Sequence, residues 1–152
     1  MKHLIEKVTV HCSVTKNGVR CETETIRKWH KDRGFDDIGY HGVIQPDGEF
    51  SVGRDLHTVG AHVKGANTGN LGVCFAGTDK FTWRAFRAFA YWFEGIRCLY
   101  DLGYHDIYCH YEFDSAKKQS KSCPNIRSAD LVLWMALQDD NIIKKYIKKE
   151  IV

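Results

Sequence analysis

An α/β domain, with a central mixed β-sheet flanked by helices, is the fold class this 152-residue chain predicts. Three observations predict it. Short apolar runs of strand character (Lys7 to Cys12, Leu71 to Ala76, Ile107 to Tyr111) alternate with longer stretches of helical period. The run from Leu71 to Ala76 is apolar almost without interruption, the pattern of a strand covered on both faces. Pro46-Asp47-Gly48 joins two further short runs, with Pro presetting φ and Gly supplying φ > 0 for a hairpin turn.

In chain order, Lys7 to Cys12 is the first strand, and the polar stretch after it turns at Asn17-Gly18. Thr23 is the expected N-cap of a helix running through Trp29-His30. Glu24 lies in its first turn, where the helix dipole favours an acid, and Gly34 terminates it. Gly39 to Gly42 leads into the hairpin, Val43 to Gln45 and Glu49 to Val52. Gly53 to Asn70 is a long irregular segment holding His57, His62, Lys64 and Asn67. Loops of that length in small domains are functional or mobile. After Leu71 to Ala76 comes a helix capped by Thr82 and closed by Gly103. Its stripe of Phe86, Phe89, Phe93 and Ile96 has the period of a face packed on a sheet, so it is read as core. Ile107 to Tyr111 is the next strand, Phe113 to Asn125 a loop, and Ser128 caps a last amphipathic helix through Leu137. The lysine-rich stretch Asp139 to Val152 is expected to add a terminal helix with a solvated face.

The length suits one domain over residues 1–152 with a sizeable core. Charges balance to 22 − 19 = +3, too little to argue for a nucleic-acid partner. No run approaches the roughly 20 apolar residues of a membrane span. The first residues lack the apolar segment of a secretory signal, so synthesis and residence in the cytoplasm are expected. The cysteines show no CxxC spacing and mostly sit in apolar runs, so they read as buried thiols. Cys123, in a polar loop before Pro124, stands apart.

His11 and His110 also stand apart, because each ends an apolar run at a sheet edge, where a side chain can face a cleft. Strand alternation then turns their neighbours Cys12 and Cys109 into the core. Two histidines and a cysteine make three protein ligands, the count a catalytic zinc uses while keeping one position open. His3, His30, His57 and His105 read as ordinary surface or core histidines, and His41 as a structural, hydrogen-bonded one.

A resemblance covers Val8 to Trp134. His11-Cys12-Ser13, Trp29-His30-Lys31, Gly39-Tyr40-His41 with Pro46-Asp47-Gly48, Val59-Gly60-Ala61-His62 with Asn67, Leu71-Gly72-Val73, and His110 with Lys121-Ser122-Cys123-Pro124 occur in this order. Together they resemble the type-2 N-acetylmuramoyl-L-alanine amidases, a family that includes the peptidoglycan recognition proteins and the short phage lysozyme-amidases. The resemblance implies Zn2+ on His11, His110 and Cys123, and Tyr40 and Lys121 as catalytic residues beside it. It implies His62 and Asn67 as substrate contacts. The loop before Cys123 is longer than in the short phage members, which leaves Lys117 and Lys118 as alternatives to Lys121. The implied activity is hydrolysis of the amide between N-acetylmuramic acid and L-alanine in peptidoglycan. The implied enzyme is a monomer of endolysin type, reaching the wall after release or holin-type export. Two other readings stand beside it: a peptidoglycan-binding module without catalysis, and an amidase that also inhibits an RNA polymerase.

Overall fold

The computed structural model describes residues 4–149. Five strands form one sheet: β1 (Lys7–Cys12), β2 (Gly42–Ile44), β3 (Phe50–Val52), β4 (Asn70–Phe75) and β5 (Ile107–Cys109), in the order β3-β2-β4-β1-β5. β1 runs parallel to β4 and β5, β2 parallel to β4, and only the β2–β3 hairpin is antiparallel. The sheet is mixed, as expected, and β4 is its middle strand.

Period-2 alternation divides the core. Val8, Val10 and Cys12 of β1, Leu71, Val73 and Phe75 of β4, and Cys109 of β5 face one side. There they meet Phe86, Phe89 and Phe93 of α2 (Trp83–Tyr100) and Leu131 and Trp134 of α4 (Ser128–Leu137). The aromatic stripe of α2 is therefore core. On the other side Val43 and Cys74 pack with Ile26 of α1 (Thr23–Asp32), Ile38 and Tyr40. Thr9 and His11, out of phase with Val8 and Val10, face this second side.

Several element ends differ from the sequence reading. Thr82 does cap α2, its hydroxyl accepting from Ala85 N–H at 3.1 Å. The helix ends at Asp101, in the left-handed region at φ 56°, and not at Gly103. Burial of Leu102, whose N–H reaches the Arg97 carbonyl at 3.1 Å, draws the chain back onto the core there. Glu22 occupies the N-cap of α1 and Thr23 its first turn. Arg127 precedes α4, and the N–H groups of Arg127 and Ser128 are taken up by the hydroxyls of Tyr146 (3.1 Å) and Tyr111 (3.0 Å). β5 stops at Cys109, whose N–H is held by the Glu112 carboxylate at 2.6 Å, and His110–Glu112 turns into a 3-10 helix. The 113–125 loop contains a single helical turn, α3 (Asp114–Lys117). The terminal stretch forms 3-10 turns at Asp140–Ile142 and Lys144–Tyr146 in place of a helix, and residues 150–152 lie outside the described ones. It is tied down through Phe81, whose N–H donates to the Tyr146 carbonyl and whose carbonyl accepts from Lys148 N–H, both at 2.8 Å. No helix among the described residues is long and apolar enough to cross a membrane.

The long glycine-bearing segment after β3 is held at several points. The Arg54 guanidinium donates to the carbonyls of Val59 (2.7 Å), Ile38 (2.9 Å) and Asp37 (3.3 Å). Asn67 Oδ1 accepts from the N–H groups of both His62 and Val63 at 2.8 Å. These bonds satisfy backbone groups that an irregular segment would otherwise leave open.

Candidate metal centre

Because β1 and β5 are parallel neighbours, their carboxyl ends open on the same edge of the sheet. Crevices at that edge are the usual ligand sites of such sheets. His11 is the penultimate residue of β1, and His110 follows directly on β5. Cys123 arrives from the long loop, where Tyr111 N–H donates to the Cys123 carbonyl at 3.1 Å and anchors it beside His110. The ligand-capable atoms of His11, His110 and Cys123 lie within 4.8 Å of one another. No other group of three His, Cys, Asp or Glu residues among the described ones converges in this way.

The donor set fits zinc. Two imidazole nitrogens and a sulfur suit a tetrahedral site with one place open. Imidazole ligates only when neutral, and burial enforces that state here. Burial, with His62, His110 and Lys121 beside it, holds His11 well below its ordinary value. Burial and the charge of Lys121 bring His110 down to about 4. Contact with the Cys12 side chain, and burial, push the Cys123 thiol up, and a bound metal ion would displace its proton, since sulfur ligates as the thiolate. The backbone N–H of Cys12 points at Cys123 Sγ at 3.1 Å, a donor that favours sulfur carrying negative charge.

His110 and Cys123 line an open groove of about 1030 Å3, and His11 stands beside them, 1% exposed. Tyr40, Lys121, His62 and Asn67 all line the groove, as do Trp29 and Arg33 of the α1 region. The Tyr40 ring stands 4.9 Å from that of His11. Burial first, then the nearby cysteines, raise its hydroxyl well above the ordinary tyrosine value, so it stays a donor. Lys121 lines the groove and Lys117 and Lys118 do not. His62 and Asn67 reach the wall, with both His62 ring nitrogens bonded inside the protein, to His11 and Asn70, and Asn67 Oδ1 taken up as described above. His41 is structural, one ring nitrogen accepting from Gly72 N–H at 3.0 Å and the other bonded to the Thr58 carbonyl at 2.9 Å.

Two features escape sequence reasoning. One is the Cys12 N–H on Cys123, and the other is the contact of His62 with His11, 2.9 Å between ring nitrogens. Each joins residues far apart in the chain, and no local pattern announces it.

Known proteins resemble this chain in sequence and in fold. The family model described as N-acetylmuramoyl-L-alanine amidase (Amidase_2) matches residues 1–126. The chain is 46% identical over 71 residues to the endolysin of Klebsiella phage KP32, which covers 47% of each. It is 44% identical over 72 residues to the endolysin of Escherichia phage T7, covering 47% of this chain and 48% of the phage protein. The chain thus spans about half the length of the curated relatives it matches. The solved structure of the N-acetylmuramoyl-L-alanine amidase LysC from Clostridium intestinale has the same fold. It superposes with a TM-score of 0.76 at 22% identity, over 90% of this chain and 87% of that one. A model match over most of the described residues, together with these folds and motifs, makes the chain a member of the N-acetylmuramoyl-L-alanine amidase family.

Proposed function

We propose that this protein is a zinc-dependent N-acetylmuramoyl-L-alanine amidase of endolysin type. It hydrolyses the amide joining N-acetylmuramic acid to the first L-alanine of the peptidoglycan stem. The observation that carries the reading is the convergence of His11, His110 and Cys123, the latter two lining an open groove. Amides resist hydrolysis because their carbonyl carbon is weakly electrophilic and nitrogen leaves poorly. Zinc held at this trio supplies Lewis-acid polarisation of the carbonyl and makes water nucleophilic near neutral pH.

The chain's own residues do the rest. Burial keeps both imidazoles neutral and available as ligands. The Cys12 N–H steadies the sulfur of Cys123. Tyr40, held protonated, donates a hydrogen bond to the oxygen on which negative charge develops, a contribution of roughly 3 to 4 kcal/mol for one such donor. Lys121 adds positive charge to the groove lining. The walls formed by Trp29, Arg33, His62 and Asn67 confine the glycan-linked peptide. The substrate lies outside the cytoplasm, and the protein meets it after release or holin-type export.

The test is loss of turbidity of purified cell walls, abolished by a chelator and restored by zinc, with muramic acid termini and free L-alanine amino groups as products. Sedimentation with walls that never clear would replace the hydrolase by a binding module.

A further inference from the structure

The two hydrogen bonds of the His62 ring have directions that need no ligand to assign. Nε2 lies 2.9 Å from the backbone carbonyl of Asn70. A carbonyl oxygen only accepts, so the proton of the neutral ring sits on Nε2 and Nδ1 keeps a bare lone pair. That Nδ1 lies 2.9 Å from His11 Nε2. His11 must therefore donate from Nε2, and its unprotonated nitrogen is Nδ1.

We propose that His62 is a positioning residue: it locks His11 in the Nε2–H tautomer and so selects His11 Nδ1 as the nitrogen offered to the metal. This rests on the zinc reading above. Ligating imidazoles commonly donate their second N–H to an oxygen, which fixes tautomer and ring orientation. Here the acceptor is a second imidazole, itself oriented by a main-chain carbonyl.

The surroundings over-determine the ring's place. A Cβ on Gly72 would stand 2.6 Å from His62 Cγ, and one on Gly60 would stand 2.7 Å from His62 Cδ2, so both glycines leave room for the imidazole. The ring meets His11 edge-on, at 85° between planes. Asn70, whose carbonyl begins the relay, is only 2% exposed. Its side chain accepts from Thr9 Oγ1 at 2.7 Å and donates to the Ala66 carbonyl at 2.8 Å. With both ring nitrogens engaged in this chain of bonds, His62 acts on the reaction through His11 and not by hydrogen-bonding substrate.

Long-range proton–nitrogen NMR spectra of the 15N-labelled chain test this directly, without and with zinc. In the metal-free protein, His62 and His11 should both carry the proton on Nε2, and zinc should shift His11 Nδ1. A proton on His62 Nδ1, or zinc bound through His11 Nε2, overturns the proposal. Two variants add an affinity readout by chelator competition. His62→Leu removes the acceptor and should weaken zinc binding about 10- to 100-fold. His62→Asn sets an amide oxygen near the place of Nδ1 and should stay within a few-fold of the parent. Equal affinity in all three proteins, or equal loss in both variants, refutes the positioning role. A parent chain that takes up no zinc refutes the metalloenzyme reading and the proposal together. Normal zinc uptake with the wrong tautomer refutes the proposal alone.

Discussion

Each groove residue acts through one identifiable property, which makes its removal specific. Cys123 supplies the only sulfur among the three convergent ligand atoms. Cys123→Ala should lose bound zinc and wall-clearing activity together, as read by metal analysis and turbidity; full zinc content in that variant would mean the sulfur is not a ligand. Tyr40→Phe should keep zinc and lower turnover about 100-fold or more, the usual cost of deleting one oxyanion donor. Lys121→Ala should lower turnover with zinc retained, whereas Lys117→Ala and Lys118→Ala should leave it near the parent, because Lys121 lines the groove and those two do not. Kinetics on soluble muropeptides separate these cases.

At the scale of elements, the site is held by strand ends, and the helices keep those ends in place. The clearest single support is the N-cap of α2, whose aromatic face fills one side of the sheet. Thr82→Ala should cost about 1 kcal/mol, seen as a lower midpoint in denaturant at an unchanged slope. A second support is Gln45, fully buried, whose side-chain amide accepts from the Cys21 N–H at 2.9 Å and donates to the Cys21 carbonyl at 2.7 Å. It joins the end of β2 to the segment entering α1. Helix and strand existence was legible from period and turn chemistry. Their ends were not, since Leu102 burial and the hydroxyls of Tyr111 and Tyr146 come from tertiary packing, and the bond of the Glu112 carboxylate to Cys109 N–H forms only in the turned chain.

For the whole molecule, burying neutral histidines couples folding to pH. His30 is depressed to about 4 by burial, then by Arg33 and Arg54, and His62 to about 3, chiefly by burial. Unfolded, both would titrate near 6.5. Between those values the unfolded chain binds more protons, so stability rises with pH across the window. The metal-free protein should therefore be fully stabilised by these groups above about pH 6.5 and lose that contribution as pH falls toward 3 to 4. Melting midpoints of the chelated protein across this range check the sign; a midpoint that rises on acidification would contradict it.

The amino-acid sequence by itself determined the α/β class, the two-faced burial of β4, the hairpin turn, the core reading of the α2 stripe, and the candidacy of His11, His110 and Cys123. Those features follow from local period, turn residues and ligand chemistry, which neighbours along the chain express. Only the tertiary structure decided that the three ligand atoms meet, that Lys121 and neither Lys117 nor Lys118 lines the groove, and that His62 turns inward to His11. Such facts depend on distances between separate segments of the chain, and a hydrogen bond's direction exists only once both partners stand within reach.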